Sequence, residues 1–141
     1  MKLSTKSRYG TRILVDIAQN QGNGPVQNGD IAERQGISVQ YVLQLGRDLK
    51  ATGYVKTVRG PKGGLLLRKP ADEIRLGDIV RSLEPQPELA VCGRNPDVCE
   101  RSIECQTRLV WMQATEAMYE RLNAYTITDL LNNHALKCRL G

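Results

Sequence analysis

Gly36 and Ser38 stand two residues apart in a chain of 141, the first suited to stop a helix and the second to start one. Glycine just past a helix end enters the left-handed region without steric cost, and serine at an N-cap satisfies a first-turn backbone N–H. Helix, glycine-containing turn, helix is the shape of a helix-turn-helix. The helix before Gly36 has Asn28 as its candidate N-cap and buries Ile31 and Ala32. The helix after it carries Val42, Leu45 and Leu49 on one stripe and ends at Gly53. A longer helix is expected ahead of both, from residue 4 or 5 to residue 20, because Tyr9, Ile13, Leu14, Ile17 and Ala18 share one face. Gln21-Gly22-Asn23-Gly24-Pro25 closes it.

The segment after the third helix narrows the fold further. Tyr54-Val55-Lys56-Thr57-Val58-Arg59 alternates and is β-branched, so it reads as a strand, and Leu65-Leu66-Leu67-Arg68 reads as its return. Between them Gly60-Pro61-Lys62-Gly63-Gly64 forms a glycine-rich tip, with Arg59 at its base and Lys62 on it. No Gly-Lys-Ser/Thr comes after it, so this is not a nucleotide phosphate loop. Three helices and such a hairpin make a winged helix-turn-helix, whose third helix enters the major groove of duplex DNA. The exposed residues at the start of that helix are Ser38, Gln40, Tyr41 and Gln44. Ser and Gln can bond base edges or phosphates, and Tyr can reach a phosphate through its hydroxyl. Arg59 on a slender wing suits a narrow minor groove, where phosphates of both strands concentrate negative potential.

Charge agrees with this division. The net +5 conceals an asymmetry: residues 1–69 hold twelve Lys/Arg against four acidic groups, a net of +8. Residues 70–141 hold eight basic and eleven acidic groups, a net of −3. A basic half points to a polyanion. Unbroken apolar runs reach about four residues, far short of the ~20 that span a bilayer, and the N-terminal stretch has no secretory character. A cytoplasmic protein without a membrane partner is expected. With one His and no nucleophile–base constellation, an enzyme is not. A pure protein-interaction module remains the reading from another class.

From Pro70 the composition changes. A helix is expected over residues 76–84, burying Leu76, Ile79, Val80 and Leu83, before Pro85 and Pro87. A loop rich in breakers then holds Cys92-x6-Cys99-x5-Cys105. Cytosolic thiols argue against a disulfide. Structural zinc prefers Cys-x2-Cys pairs and a fourth ligand. Inert buried cysteines belong on helices or strands, whereas an iron–sulfur cluster suits a loop that wraps a compact core with soft thiolates. Spacing alone leaves cluster, zinc and inert thiols open.

Residues 105–124 contain no Gly or Pro and predict a long helix with two stripes: Trp111, Met118, Leu122 and Tyr125, and beside it Val110, Ala114 and Ala117. Burial on two sides, against the helix's own domain and against a partner copy, is the expectation, since palindromic half-sites mirror a two-fold protein. Thr126 caps a short last helix with Leu130 and Leu131 inward; His134 and Cys138 come after it. The organisation expected is a DNA-binding region at 1–70, a connecting helix and loop at 71–91, a cysteine loop at 92–105 and a dimerisation helix with a C-terminal helix at 105–141. The fold class is mainly α with a small β-hairpin.

Ile31-Ala32-Glu33-Arg34-Gln35-Gly36-Ile37-Ser38, Val58-Arg59-Gly60-Pro61-Lys62-Gly63-Gly64 and Ile74-Arg75-Leu76-Gly77-Asp78-Ile79-Val80, together with the cysteine loop after them, resemble the IscR/NsrR group of bacterial winged-helix regulators over residues 1–133. The resemblance implies a homodimer on a palindromic promoter operator. It also implies an iron–sulfur cluster, 2Fe-2S or 4Fe-4S, held by Cys92, Cys99 and Cys105, with Arg59 in the minor groove. Such a regulator senses iron, redox or nitric-oxide status; a cluster-free one would answer to a small molecule, thiol oxidation or zinc. Two departures stand out. Arg108 occupies the place of a ligating His, and Arg8 that of an acidic ligand, and a protonated guanidinium cannot ligate iron. Glu104, Asp97, Cys138, His134 or an exogenous molecule are left as fourth-ligand candidates. Leu43 stands where the cluster-assembly regulator has a base-reading acidic residue.

Overall fold

The computed structural model describes residues 2–132. Its first helix, α1 (Thr5–Asn20), starts where Ser4 Oγ accepts the Ser7 N–H and buries Ile13, Leu14 and Ile17 completely. The short α2 (Asn28–Gln35) begins one residue earlier than Asn28 capping predicts: Gln27 takes the N-cap position with extended backbone and no side-chain cap. Gly36 closes α2 at φ 65°, and Ser38 opens α3 (Val39–Ala51) by accepting the Tyr41 N–H.

Strand β1 (Val55–Val58) pairs antiparallel with β2 (Gly64–Leu67), in a register running from Val55 opposite Leu67 to Val58 opposite Gly64. Only Val55 of β1 is buried, so the rest of the strand projects from the body. The wing is braced along β2 by Val26, which exchanges backbone hydrogen bonds with Leu65, opposite Thr57, at 2.9 and 2.8 Å. Near its tip, Gln27 Nε2 donates to the Pro61 carbonyl at 3.5 Å.

Helix α4 (Leu76–Leu83) buries Ile79, Val80 and Leu83; Leu76, expected inward, is only half-buried, and Gly77 takes the inward place. The reason is close packing on the long α6 (Gln106–Asn123): a Cβ on Gly77 would meet Asn123 Oδ1 at 2.5 Å and the Tyr119 carbonyl at 2.6 Å. Asn123 clasps the same turn, accepting the Asp78 N–H and donating to Asp78 Oδ1, both at 2.9 Å. Between α4 and α6 runs the cysteine segment, with a single turn α5 (Val91–Arg94). The chain then returns: Ile127 N–H donates to the Ile74 carbonyl at 3.0 Å, and α7 (Ile127–Leu131) packs on α1 behind a Thr126–Asp129 capping box. Ile74, Ile79, Leu83 and Ile127 share one buried cluster with Ile13, Leu14 and Leu49, so the core continues across residue 70.

Helix α6 departs from the expected stripes. Its inward face is Thr115 and Tyr119, both buried, while Val110 and Trp111 are 54% and 45% exposed. Tyr119 is held by polar contacts that an apolar count misses: its hydroxyl donates to the Pro87 carbonyl at 2.7 Å, and Arg81 lies over its ring at 4.2 Å. Arg81 in turn pairs with Glu116 at 2.7 Å, tying α4 to α6. Among the described residues no helix is long and apolar enough to cross a membrane. His134 and Cys138 lie outside the described residues.

Candidate nucleic-acid interface and cysteine loop

Because Val42, Leu45, Gly46 and Leu49 turn α3 inward, the opposite side presents Gln40, Gln44 and Arg47, all exposed. Ser38 is exposed but its oxygen already serves as the helix cap, which leaves its O–H free to donate outward. Tyr41 is half-buried, with its ring edge-on to Tyr9 at 6.0 Å between centroids. Arg12 covers the other aromatic of that pair at 4.9 Å. Tyr41 is thus partly a packing residue that fixes α3 on α1. Arg59 and Lys62 are exposed on the wing.

Two cations add to the residues expected from sequence. Arg47 and Lys50, exposed on the later turns of α3, line a cleft with Asn28, Leu43 and Thr57 between the start of α2 and the wing. Their signal lies in the helical period, since residue 47 continues the row begun by residues 40 and 44. They add positive charge to the exposed face of α3, the kind of charge that phosphate contacts require.

The cysteine loop is built differently. Ser102, buried in an otherwise exposed segment, donates from Oγ to the Pro96 carbonyl at 2.5 Å and from its N–H to the Cys99 carbonyl at 3.0 Å. Cys99 is exposed, while Cys92 and Cys105 are half-buried. Cys105 occupies the N-cap of α6. Its thiol is held below the ordinary range, first by the Thr107 hydroxyl at 3.1 Å, next by the backbone N–H of Arg108, and least by the Arg108 charge. A helix N-terminus shifts such a thiol toward the thiolate. Arg108 itself reaches back: Nε donates to the Cys92 carbonyl at 2.6 Å and Nη2 to the Gly93 carbonyl at 3.4 Å. The residue that cannot ligate iron therefore pins the backbone of one that can.

In donor chemistry the loop fits an iron–sulfur cluster: three soft sulfurs, one of them already inclined to ionise. In geometry it is not closed. Among the described residues no three His, Cys, Asp or Glu side chains converge as a metal would need, so the three cysteines share a loop but not a point.

Comparison with known proteins bears on the whole chain. The Rrf2 family model, described as an iron-dependent transcriptional regulator, matches residues 3–133. Protein rrf2 of Nitratidesulfovibrio vulgaris is 43% identical over 136 residues, covering 96% of this chain and 91% of that protein. The HTH-type transcriptional regulator IscR of Erwinia tasmaniensis is 36% identical, covering 96% and 82%. Among solved structures, the global cysteine regulator CymR of B. subtilis superposes with a TM-score of 0.74 at 33% identity, covering 94% of this chain and 98% of that one. IscR of T. potens gives 0.74 at 36%, covering 95% and 88%. With its helix-turn-helix, its wing and the long helix behind them all inside the matched span, this chain belongs to the Rrf2 family of DNA-binding transcriptional regulators.

Proposed function

We propose that the chain works as a homodimer that binds a palindromic promoter operator through α3 and the wing, and that the loop 92–105 holds an iron–sulfur cluster on Cys92, Cys99 and Cys105. The observation that carries the reading is the placement of Cys105 at the head of α6, with Arg108 joining that head to the Cys92 backbone at 2.6 Å. When bound, a cluster supplies an iron centre that responds to iron supply, oxidants or nitric oxide. The loop's own residues carry the response. Cys92, Cys99 and Cys105 would hold the group, and Arg108 would couple any movement of the Cys92 turn to the first turn of α6.

Exposed Leu109, Val110 and Trp111 on α6 support a seam between two copies there, and a shift of that seam resets the spacing of the two α3 helices. Coupling of this kind is typically worth about 1–3 kcal/mol, roughly 5–150-fold in affinity. Ser38, Gln40, Tyr41 and Gln44 are assigned to the major groove, Arg59 and Lys62 to the minor groove and its phosphates. A cytoplasmic setting is part of the same reading, from a DNA target and reduced thiols.

Anaerobic purification tests the sensor. A brown protein whose visible absorbance disappears in Cys99→Ala, and whose operator affinity changes when the cluster is removed, is the expected result. A colourless, iron-free protein with unaltered operator binding overturns it, and a colourless protein whose binding changes on oxidation replaces it with a thiol sensor.

A further inference from the structure

The outward side of α3 is not uniformly polar. Val39 and Leu43, one turn apart, are 46% and 43% exposed. Neither belongs to the stripe the helix buries through Val42, Leu45 and Leu49. Singly, exposed apolar side chains need no explanation. Here two of them stack at i and i+4 within the first two turns, on the part of the helix that a winged helix-turn-helix inserts into the groove.

Their neighbours define what they face. Gln40 and Gln44 lie alongside, each one residue further on. Arg47 lies one turn beyond Leu43, and Leu43, Arg47 and Lys50 line the same cleft beside the wing. The stripe is therefore bordered by amides and closed at one end by two cations. A surface complementary to it is anionic at the edge, hydrogen-bonding beside the stripe and apolar at the stripe itself. In duplex DNA the major groove offers one apolar group on its floor, the C5-methyl of thymine. The partner adenine presents N7 and the N6 amino group, which a Gln amide can meet with both of its ends.

We infer that Val39 and Leu43 form a thymine-methyl subsite, so that each half-site carries A·T pairs whose methyl groups meet this stripe and whose adenines meet Gln40 or Gln44. The inference rests on the DNA-binding reading above and assigns its sequence preference.

The test uses duplexes that the full-length protein itself selects from a random-sequence pool, resynthesised with deoxyuridine in place of thymidine at one position at a time. Uracil keeps every hydrogen-bonding edge and lacks only the methyl. Wild-type affinity falls roughly fourfold at each contacted position, the equivalent of exposing one methyl-sized group. Leu43→Ser binds the thymine and uracil duplexes equally at one of those positions, and Val39→Ser does so at another. Both side chains are exposed, and circular dichroism verifies that the variants fold. Indifference of the wild type to every uracil overturns the inference while leaving DNA binding intact. A Leu43→Ser and Val39→Ser pair that keeps the full thymine preference overturns it as well. Absence of any salt-sensitive duplex binding overturns the DNA-binding reading and this inference with it.

Discussion

Arg34, at the end of α2, meets Asp16 of α1 in a two-pronged ion pair, with Nη2 at 2.7 Å from Oδ1 and Nε at 3.0 Å from Oδ2. The Asp16 side chain is 2% exposed and that of Arg34 40%, so the two partners are not equivalent. Arg34→Ala strands a buried carboxylate and is expected to cost about 3 kcal/mol, at the low end for a broken buried pair because Gln35 Nε2 still donates at 2.8 Å. Asp16→Asn leaves an Arg that water can reach and costs about 1 kcal/mol. Urea midpoints measure both. A reversed order would mean that the burial of Asp16 does not set the energetics of the pair.

The wing and the recognition helix separate in a salt titration. Arg59→Ala and Arg47→Ala each reduce the slope of log affinity against log salt by about 1 and weaken binding to all duplexes alike. Gln44→Ala leaves the slope unchanged and relaxes preference at one base pair, at roughly 1–3 kcal/mol. Fluorescence anisotropy on the selected operator and on a scrambled duplex distinguishes the two patterns.

Cys105 should alkylate first among the loop thiols of iron-free protein. Its depressed folded pKa puts the midpoint of the iodoacetamide rate against pH below that of an ordinary thiol, and Thr107→Val moves the midpoint back up, since the Thr107 hydroxyl is the leading cause. The linkage has a definite sign: the thiolate contributes stability above the ordinary thiol pKa, and this is lost as pH falls through the lower folded value. Peptide mapping of the labelled protein identifies the site. Equal rates at Cys99 and Cys105 at every pH would refute the assignment.

The α6 seam is testable without DNA. Trp111→Asp or Val110→Asp places a charge on a face 45% or 54% exposed in the single chain, so the fold tolerates it. Sedimentation velocity is expected to show a two-chain species for the wild type and one-chain species for the variants. Operator affinity drops at least tenfold, because two half-sites no longer bind as one ligand. A variant that stays dimeric would place the seam elsewhere.

Much of this fold is legible in the sequence wherever local rules act alone. Gly36 and Ser38 mark their helix ends because capping is decided within four residues, and the burial of Ile13, Leu14 and Ile17 comes from a single period. The inward face of α6 is not legible, because Tyr119 and Thr115 are buried through partners distant in sequence: Tyr119 through Pro87 and Arg81, Thr115 through the Leu89 N–H. The cysteines announce themselves by spacing, yet the residue that braces them, Arg108, reads in sequence only as a missing ligand. Asn28 lies one position from the true cap because Gln27, a poor capping residue, takes the extended backbone of the N-cap.

Gly77 has a mechanical meaning beyond packing. With no atom beyond hydrogen on its α-carbon, α4 sits so close to α6 that rolling or sliding would break the Asn123 clasp on Asp78. In the proposed dimer the reading head and the seam helix would then swing together as one stiff arm. In a dimer built on α6, a small tilt at the seam is multiplied along that arm before it reaches α3. A regulator so built would tell an occupied operator from an empty one by leverage, with no need to loosen its own core.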